Sequence, residues 1–494
     1  MRIAPLLYKI MITLLSSIIS IPCMVGQIPS FSNPTLLIEN DMTAADIKAC
    51  YVSYDGSKLL SAENLKFDDS LMYDTEGTIH INTNELYQEI DGFGFAITGA
   101  TSYNLSKMEA WRRHNFLVRT FSPDENVGYG CCYVRVPIGC SDFSLSDYTC
   151  CDTPGIENFA LTDEETLYII PVLKEILQIN PGIKIIAAPW TAPRWMKTNG
   201  EWTSGHLRTD CYQDYALYFV KWIKAFADNG IHITAVTPQN EPLHGGNSAS
   251  MLMLWEEQRD FIKTALGPTF RDNNIDTKIY VFDHNYNYDN WDGQIGYPRH
   301  IYSDPQAKQY ISGAAYHNYS GEASEMTIIH DANPDMELLF TEWTAGEWYL
   351  RVDYARILED VKNLVCDVIN NWGRGAIVWN MMLDSNHGPY RPGGCFNGNG
   401  AVDIDSETYS IITYNSFYYT ICLAMTASRP GAHRASIEGN IADIESVAFS
   451  NPDGTIGIIA TNNSNRAKKV AIYDGKRYFC IEIPPLTAAS YRWK

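Results

Sequence analysis

Basic residues are scarce in this chain. Its 494 residues include 37 Lys and Arg against 58 Asp and Glu, a formal net charge of −21. Such a surface repels a phosphate backbone, so nucleic-acid binding is excluded as a main role, whereas a neutral substrate is accepted easily. Metal signatures are missing too. There is no HExxH pair, the histidines are scattered, and the doublets Cys131-Cys132 and Cys150-Cys151 lack the CxxC spacing of a zinc knuckle. The glycine-rich stretch GFGFAITG lacks GxGxxG spacing and opens no clear helix, so it does not read as a phosphate loop. No metal and no cofactor are therefore expected. Past the N-terminus no apolar run is long enough for a transmembrane segment. There is no fixed-period repeat and no low-complexity tract, and no feature bears on oligomeric state.

What is present is a globular composition, with 45% hydrophobic and 19% charged residues. The length calls for a large domain plus an accessory one. Aromatics reach 12%, including 12 Trp and 31 Tyr. Most belong in a core, and some offer the flat apolar faces that sugar rings stack on. The N-terminus, MRIAPLLYKIMITLLSSIISIPCMVGQ, has the basic start, short apolar stretch and small residues near Gly26 of a secretory signal peptide, expected over residues 1–26. The mature protein is then secreted, periplasmic or at the cell surface. Pro22 before Cys23 fits a lipid-anchor signal poorly. Removing Cys23 leaves eleven cysteines, an odd number, expected to pack mostly as small hydrophobes with one or two disulfides at most. Asn104, Asn318 and Asn462 begin N-x-S sequons.

Between residues 89 and 429, Val-, Ile- and Ala-rich runs alternate with helical patterns. The strand candidates are residues 89–98, 133–139, 184–190, 232–239, 278–284, 311–319, 337–342 and 375–380. They show little in/out alternation, as strands buried on both faces do. Helical periodicity occupies 163–180, 212–230, 255–267 and 354–373, and Gly230 is a natural stop for the second. This alternation predicts a (β/α)8 barrel. Residues 27–88 and 430–494 instead carry short β-type runs with Asp453-Gly454 and Asp474-Gly475 turns, so both chain ends are expected to form one β-sandwich against the barrel.

Two apolar runs end in a glutamate. AVTPQNEP places Glu241 just past the fourth strand candidate, and ELLFTEW places Glu342 at the end of the seventh. A glutamate at a strand end often serves only as an ion-pair partner. Two of them on strands that face each other across a barrel mouth are different, because active sites form at that end. Paired carboxylates there suit retaining glycoside hydrolysis, in which one attacks the anomeric carbon and the other protonates the leaving oxygen. Glu347 lies in the following loop and is expected at the rim.

The stretches DGFGFAIT, RVPIGCSDF, APWTAPRWMKTNG, QNEP, LGPTF and FTEW, in this order, resemble glycoside hydrolase family 30, which includes glucosylceramidases and bacterial and fungal β-1,6-glucanases. The resemblance spans about residues 85–494. It implies Glu241 as acid/base, Glu342 as nucleophile and Asn240 as a partner of the sugar 2-OH. Trp190 and Trp379 are then expected to line the reacting subsite. His317 and Tyr319 end the sixth strand, with Tyr319 a candidate donor to the nucleophile, and Arg135 with Asp142 form a candidate charge pair beneath the site. As the acid, Glu241 is expected to have its pKa raised by burial and by Glu342. One departure stands out. Glucosylceramidases carry an aspartate after the Thr of the first-strand motif, and here Gly99 takes that place, which is expected to open room at O6 of the reacting glucose. The implied activity is a β-glucosidic hydrolase, foremost a β-1,6-glucanase. A glucosylceramidase or exo-β-glucosidase is the alternative, and a non-catalytic carbohydrate-binding barrel is the alternative of another class, disfavoured because both glutamates are present. The expected partner is a β-glucan or β-glucoside.

Overall fold

The computed structural model describes residues 46–68, 74–286 and 291–494. The signal-peptide segment and Cys23 lie outside the described residues. Eight parallel strands close into a barrel, in the order β4 (Gly92–Ala96), β5 (Tyr133–Pro137), β6 (Lys184–Ala188), β7 (Ala235–Val236), β8 (Lys278–Asn285), β9 (Gly313–His317), β10 (Glu337–Glu342) and β11 (Gly373–Val378), with β11 pairing back onto β4. All eight fall on the runs read from the sequence. Tyr133, Ile186, Ala235, Tyr280, Ala315, Leu339 and Ile377 fill the interior as one packed cluster. At the N-terminal face Asp91 takes Arg374 through both carboxylate oxygens at 2.9 Å and also pairs with Lys184. That face holds the barrel together and leaves the opposite one for chemistry.

The helices follow the sequence patterns, with a detail the periodicity does not carry. A wide turn at Glu165–Ile169 leads into Ile170–Ile179, and another at Ile262–Leu266 leads into Gly267–Asp272. Each comes just before a proline, Pro171 or Pro268. Proline has no N–H to give the preceding turn and its ring crowds the carbonyl four residues back, so the ladder widens there.

The chain ends build a nine-stranded sheet from β1 (Asp46–Ser53), β2 (Leu59–Lys66), β3 (Thr78–Glu89), β15 (His433–Glu438), β16 (Ile444–Ser450), β17 (Ile456–Asn462), β18 (Lys468–Tyr473), β19 (Tyr478–Ile483) and β20 (Thr487–Trp493). Its order is β19-β18-β3-β15-β16-β17-β20-β1-β2. The two edges approach one another, since Phe67 packs edge-on against Phe479 at 5.0 Å and the Cys480 amide donates to the Asp68 carbonyl at 2.8 Å. The rolled sheet thus encloses its own core of Ile, Ala and aromatic residues as a sandwich. Its other face shares the main core with the barrel, where Cys50, Val52, Val447 and Phe449 join helix Ser416–Ala427. The remaining strands, β12 (Met382–Asp384), β13 (Val402–Ile404) and β14 (Ile411–Tyr414), form a small sheet after β11 that the sequence pattern did not reveal.

Most of the described cysteines are buried, and among the described residues no disulfide joins them, so the expected one or two are not found there. Asn104 and Asn462 are fully buried with their amides donating to backbone carbonyls, so neither sequon can carry a glycan in this fold. Among the described residues no helix is long and apolar enough to cross a membrane.

Candidate active site

Glu241 and Glu342 come together at the C-terminal mouth of the barrel. One carboxylate oxygen of each and a ring nitrogen of His317 all lie within 4.8 Å of one another. Backbone distortion puts them there. Glu241 has φ +45°, a left-handed conformation costing a non-glycine residue about 1–2 kcal/mol. Its amide donates to the Asp283 carbonyl at 3.0 Å, and Pro242 follows immediately. Strand β9 is flanked by an irregularity on each side. Against β8 the register slips between Phe282 and His284, where Phe282 and Asp283 both have positive φ. Against β10 it slips between Phe340 and Glu342. A regular strand alternates its faces, and bulges let neighbours share one. Thr341 and Glu342 therefore both reach the site, and Asp283 turns under it.

Arg135 on β5 is the hub. Its guanidinium donates to Glu342 Oε2, to Asn240 Oδ1 at 2.6 Å and to Asp283 Oδ2 at 2.9 Å. It also lies over the rings of Trp190 and Trp379, 5.0 and 5.5 Å from their centroids. Those two indoles stack on each other at 4.8 Å and are both buried. Thr237 and Thr341 each donate to Asp283 at 2.6 Å. His317 bridges the halves of the site, with Nε2 3.0 Å from Asp283 Oδ1 and Nδ1 3.2 Å from Glu241 Oε1. Tyr319 donates its hydroxyl to Glu342 Oε1 at 3.1 Å, and Asn247 donates to Glu241 Oε2 at 3.2 Å.

These contacts set the protonation pattern. Burial pushes Glu342 above the usual glutamate range, against the opposing charges of His317 and Arg135. Burial also raises Glu241, but the hydrogen bond from His317 and the charges of His284, His317 and His244 more than offset it and bring it to about 2. The expectation of a raised Glu241 pKa is thus not met, because imidazoles face it. Their counterpart is His317. Burial disfavours its charge, yet Glu342, Asp283 and Glu241 surround it and raise it to about 9. With Glu241 lowered and His317 raised, the 3.2 Å contact between them suits a proton on the imidazole facing the carboxylate. Burial disfavours charge on His284 and lowers it to about 3, and Asp283 is held far below its ordinary range by Arg135 and His317 in spite of its burial.

The sequence expectations divide accordingly. Asn240, Trp190, Trp379, His317 and Tyr319 converge with the two glutamates. The pairing of Arg135 with Asp142 is not found, since Arg135 takes Asp283 instead. At Asp142, burial and then the charges of Glu342 and Glu241 raise the carboxyl to about 8. Gly99 opens no room. A Cβ placed on it would lie 1.7 Å from Glu164 Oε1, so the Glu164 carboxylate already fills that direction. The other Glu164 oxygen accepts from the Leu145 amide at 2.8 Å, and burial raises this carboxyl to about 7. Glu347 is exposed at the rim. Asp283, Thr237 and Thr341 were missed, and only the bulge in β8 reveals why Asp283 matters. Glu241, His317 and Glu342 are also close enough to share a metal ion. Each is already engaged by protein partners, and nothing in the donor set calls for one.

Comparison with known proteins agrees with this architecture. The profile described as the Glycosyl hydrolase family 30 TIM-barrel domain matches residues 90–418, and that of the Glycosyl hydrolase family 30 beta sandwich domain matches residues 431–491. The solved structure of the endo-β1,6-glucanase BT3312 is similar at a TM-score of 0.87 and 50% identity, covering 91% of this chain and 99% of that one. The Endo-1,6-beta-D-glucanase neg1 of Aspergillus fumigatus is 29% identical over 408 residues, 76% of this chain and 78% of that protein. The Lysosomal acid glucosylceramidase of Mus musculus is 28% identical over 440 residues, 83% of this chain and 82% of that protein. With both domains matched in order around the paired carboxylates, the chain is a glycoside hydrolase and belongs to glycosyl hydrolase family 30.

Proposed function

We propose that the protein is an exported retaining hydrolase that cleaves β-1,6-glucan by double displacement, with Glu342 as nucleophile and Glu241 as acid/base. The observation that carries this reading is the approach of the two carboxylates to within 4.8 Å. Retaining enzymes hold theirs about 5–5.5 Å apart, whereas inverting ones leave about 6.5–9.5 Å for a water. Glu342, oriented by Arg135 and Tyr319, attacks the anomeric carbon and forms a glycosyl ester. Glu241 protonates the departing oxygen, with the facing His317 imidazole as the source of the proton. In the second step Glu241 takes a proton from water, which attacks the same carbon and frees Glu342. Arg135 occupies the carbonyl end of the Asn240 amide, so its amino end is the one that meets the sugar 2-OH.

The 50% identity to an endo-β1,6-glucanase favours that linkage. The similarity to a glucosylceramidase supports the second reading, glucosylceramide or a small β-glucoside. The test is parallel incubation with β-1,6-glucan, an aryl β-glucoside and glucosylceramide, with Glu342→Gln as control and products resolved by size. Early oligosaccharides from the glucan, absent with the variant, support the assignment. Release of glucose or ceramide from the small substrates alone moves it to the second reading.

A further inference from the structure

In a chain of net charge −21, three cations gather at one place away from the mouth. Lys48 on β1 and Arg492 on β20 stand directly opposite each other in the antiparallel ladder, where like charges destabilise the pairing. Arg429, just past helix Ser416–Ala427, joins them. All three donate to a single atom, Glu125 Oε2: Lys48 Nζ at 3.2 Å, Arg429 Nη2 at 3.1 Å, and Arg492 through its own Nη2. A carboxylate oxygen has two lone pairs, so three donors overload it. Burial opposes charge on Glu125, yet the three cations hold its carboxyl below the ordinary range. Burial and then the charge of Arg492 bring Arg429 down to about 10, as befits a guanidinium short of counter-charge.

These four side chains line a cavity of about 50 Å³, whose walls also include Leu60 and Tyr129. A buried water needs about 10–15 Å³ on the same measure, so there is room for one small polyatomic ion. Arg492 is only 3% exposed, and among the described residues its Nε and Nη1 are buried with no hydrogen-bond partner. The half-exposed Asp453 carboxylate stands 4.0 Å from Nη1, beyond hydrogen-bond reach. Buried donors without an acceptor cost free energy until one arrives. Glu125 and Tyr129 belong to the loop between helix Ala110–Phe121 and β5, which enters the barrel at its N-terminal face, opposite Glu241 and Glu342. Lys48, Leu60 and Arg492 belong to the β-sandwich, so the cavity lies on the seam between the two domains.

We propose that this cavity binds a small oxyanion, with Arg492, Arg429 and Lys48 as its cationic partners. Arg492 gives it the N–H groups that lack an acceptor, and Lys48 gives one of its ammonium protons. The anion offsets the surplus positive charge and ties the first and last strands of the sandwich to the barrel. Phosphate, sulfate and a short-chain carboxylate share this chemistry.

Calorimetric titration with inorganic phosphate, sulfate and propionate, at constant ionic strength in a buffer without oxyanions, tests the site. At least one of the three is expected to fill one saturable site and to raise the melting temperature as ligand linkage requires, while sodium chloride at matched ionic strength does not. Arg492→Gln and Lys48→Met each weaken that binding about tenfold or more, as loss of a hydrogen bond to a charged group does. Lys48 is partly exposed, so its variant reports on the site even where Arg492→Gln lowers stability. Glu342→Gln leaves the binding unchanged, because the reacting carboxylates lie at the other barrel face. Tightest binding of phosphate or sulfate points to an inorganic oxyanion or a headgroup carrying one, and tightest binding of propionate to an organic acid. No saturable site for any of the three, affinity that neither Arg492→Gln nor Lys48→Met lowers, or binding lost in Glu342→Gln overturns the proposal.

Discussion

Replacing Arg135 with glutamine removes a cation that touches both Glu342 and Asp283 and leaves a shorter, neutral amide. Arg135 and Asp283 are both fully buried, and Glu342 is nearly so. Deleting one partner of a buried ion pair leaves the other charge without compensation and costs about 3–5 kcal/mol. Domain stabilities run about 5–15 kcal/mol, so the variant is expected to fold with a clearly lower melting temperature. The stabilisation lost is the kind present above the unfolded pKa of Asp283, whose folded value is depressed. The difference between variant and parent should therefore be full at neutral pH and shrink as acid protonates the carboxylates. Catalysis should shift as well. As the proposed nucleophile, Glu342 must be ionised to attack, and burial raises its pKa. Loss of an adjacent cation raises a carboxyl by about 1–3 pH units more, so the acid limb of kcat/KM should move up by that amount. The assays are thermal melts across pH and the pH dependence of kcat/KM on an aryl β-glucoside. A variant with the parent's acid limb and melting temperature would refute the role given to Arg135.

Two further outcomes follow from the geometry. His317→Asn removes the group that holds the proton facing Glu241 to about pH 9, leaving Glu241 to hold it alone, so the basic limb of kcat/KM should move to lower pH; an unmoved limb would place the proton elsewhere. Gly99→Asp, which restores the residue of glucosylceramidases, drives a second carboxyl into Glu164 and should lower stability by about 1–3 kcal/mol, with Gly99→Asp/Glu164→Ala recovering part of the loss in a thermal melt.

Much of the barrel could be read from the sequence because its strands are buried on both faces and so appear as continuous apolar runs. Glu241 and Glu342 stood out for the same reason, as carboxylates where such runs stop. Asp283 did not. It falls inside a run, and only a bulge that turns Phe282 and Asp283 to positive φ brings it under His317. The partner of Arg135 was misassigned for this reason, since Asp142 is near in sequence but Asp283 is near in space. Gly99 shows a related limit. Its missing side chain suggested room, yet Glu164, distant in sequence, fills it. The direction of the Glu241 shift depends on three histidines that only the fold assembles around it. The small sheet β12 to β14 has strands of three or four residues, too short to leave a periodic signal.

The assignment of Glu342 as nucleophile is tested most directly by trapping the glycosyl ester. The protein would be incubated with an activated 2-deoxy-2-fluoro-β-glucoside, digested, and mapped by mass spectrometry. One fluoroglucosyl group on the peptide carrying Glu342, and none on Glu342→Gln protein, is the predicted result. A label on Glu241 or another side chain, or turnover that gives the inverted anomer with no label, would contradict the account.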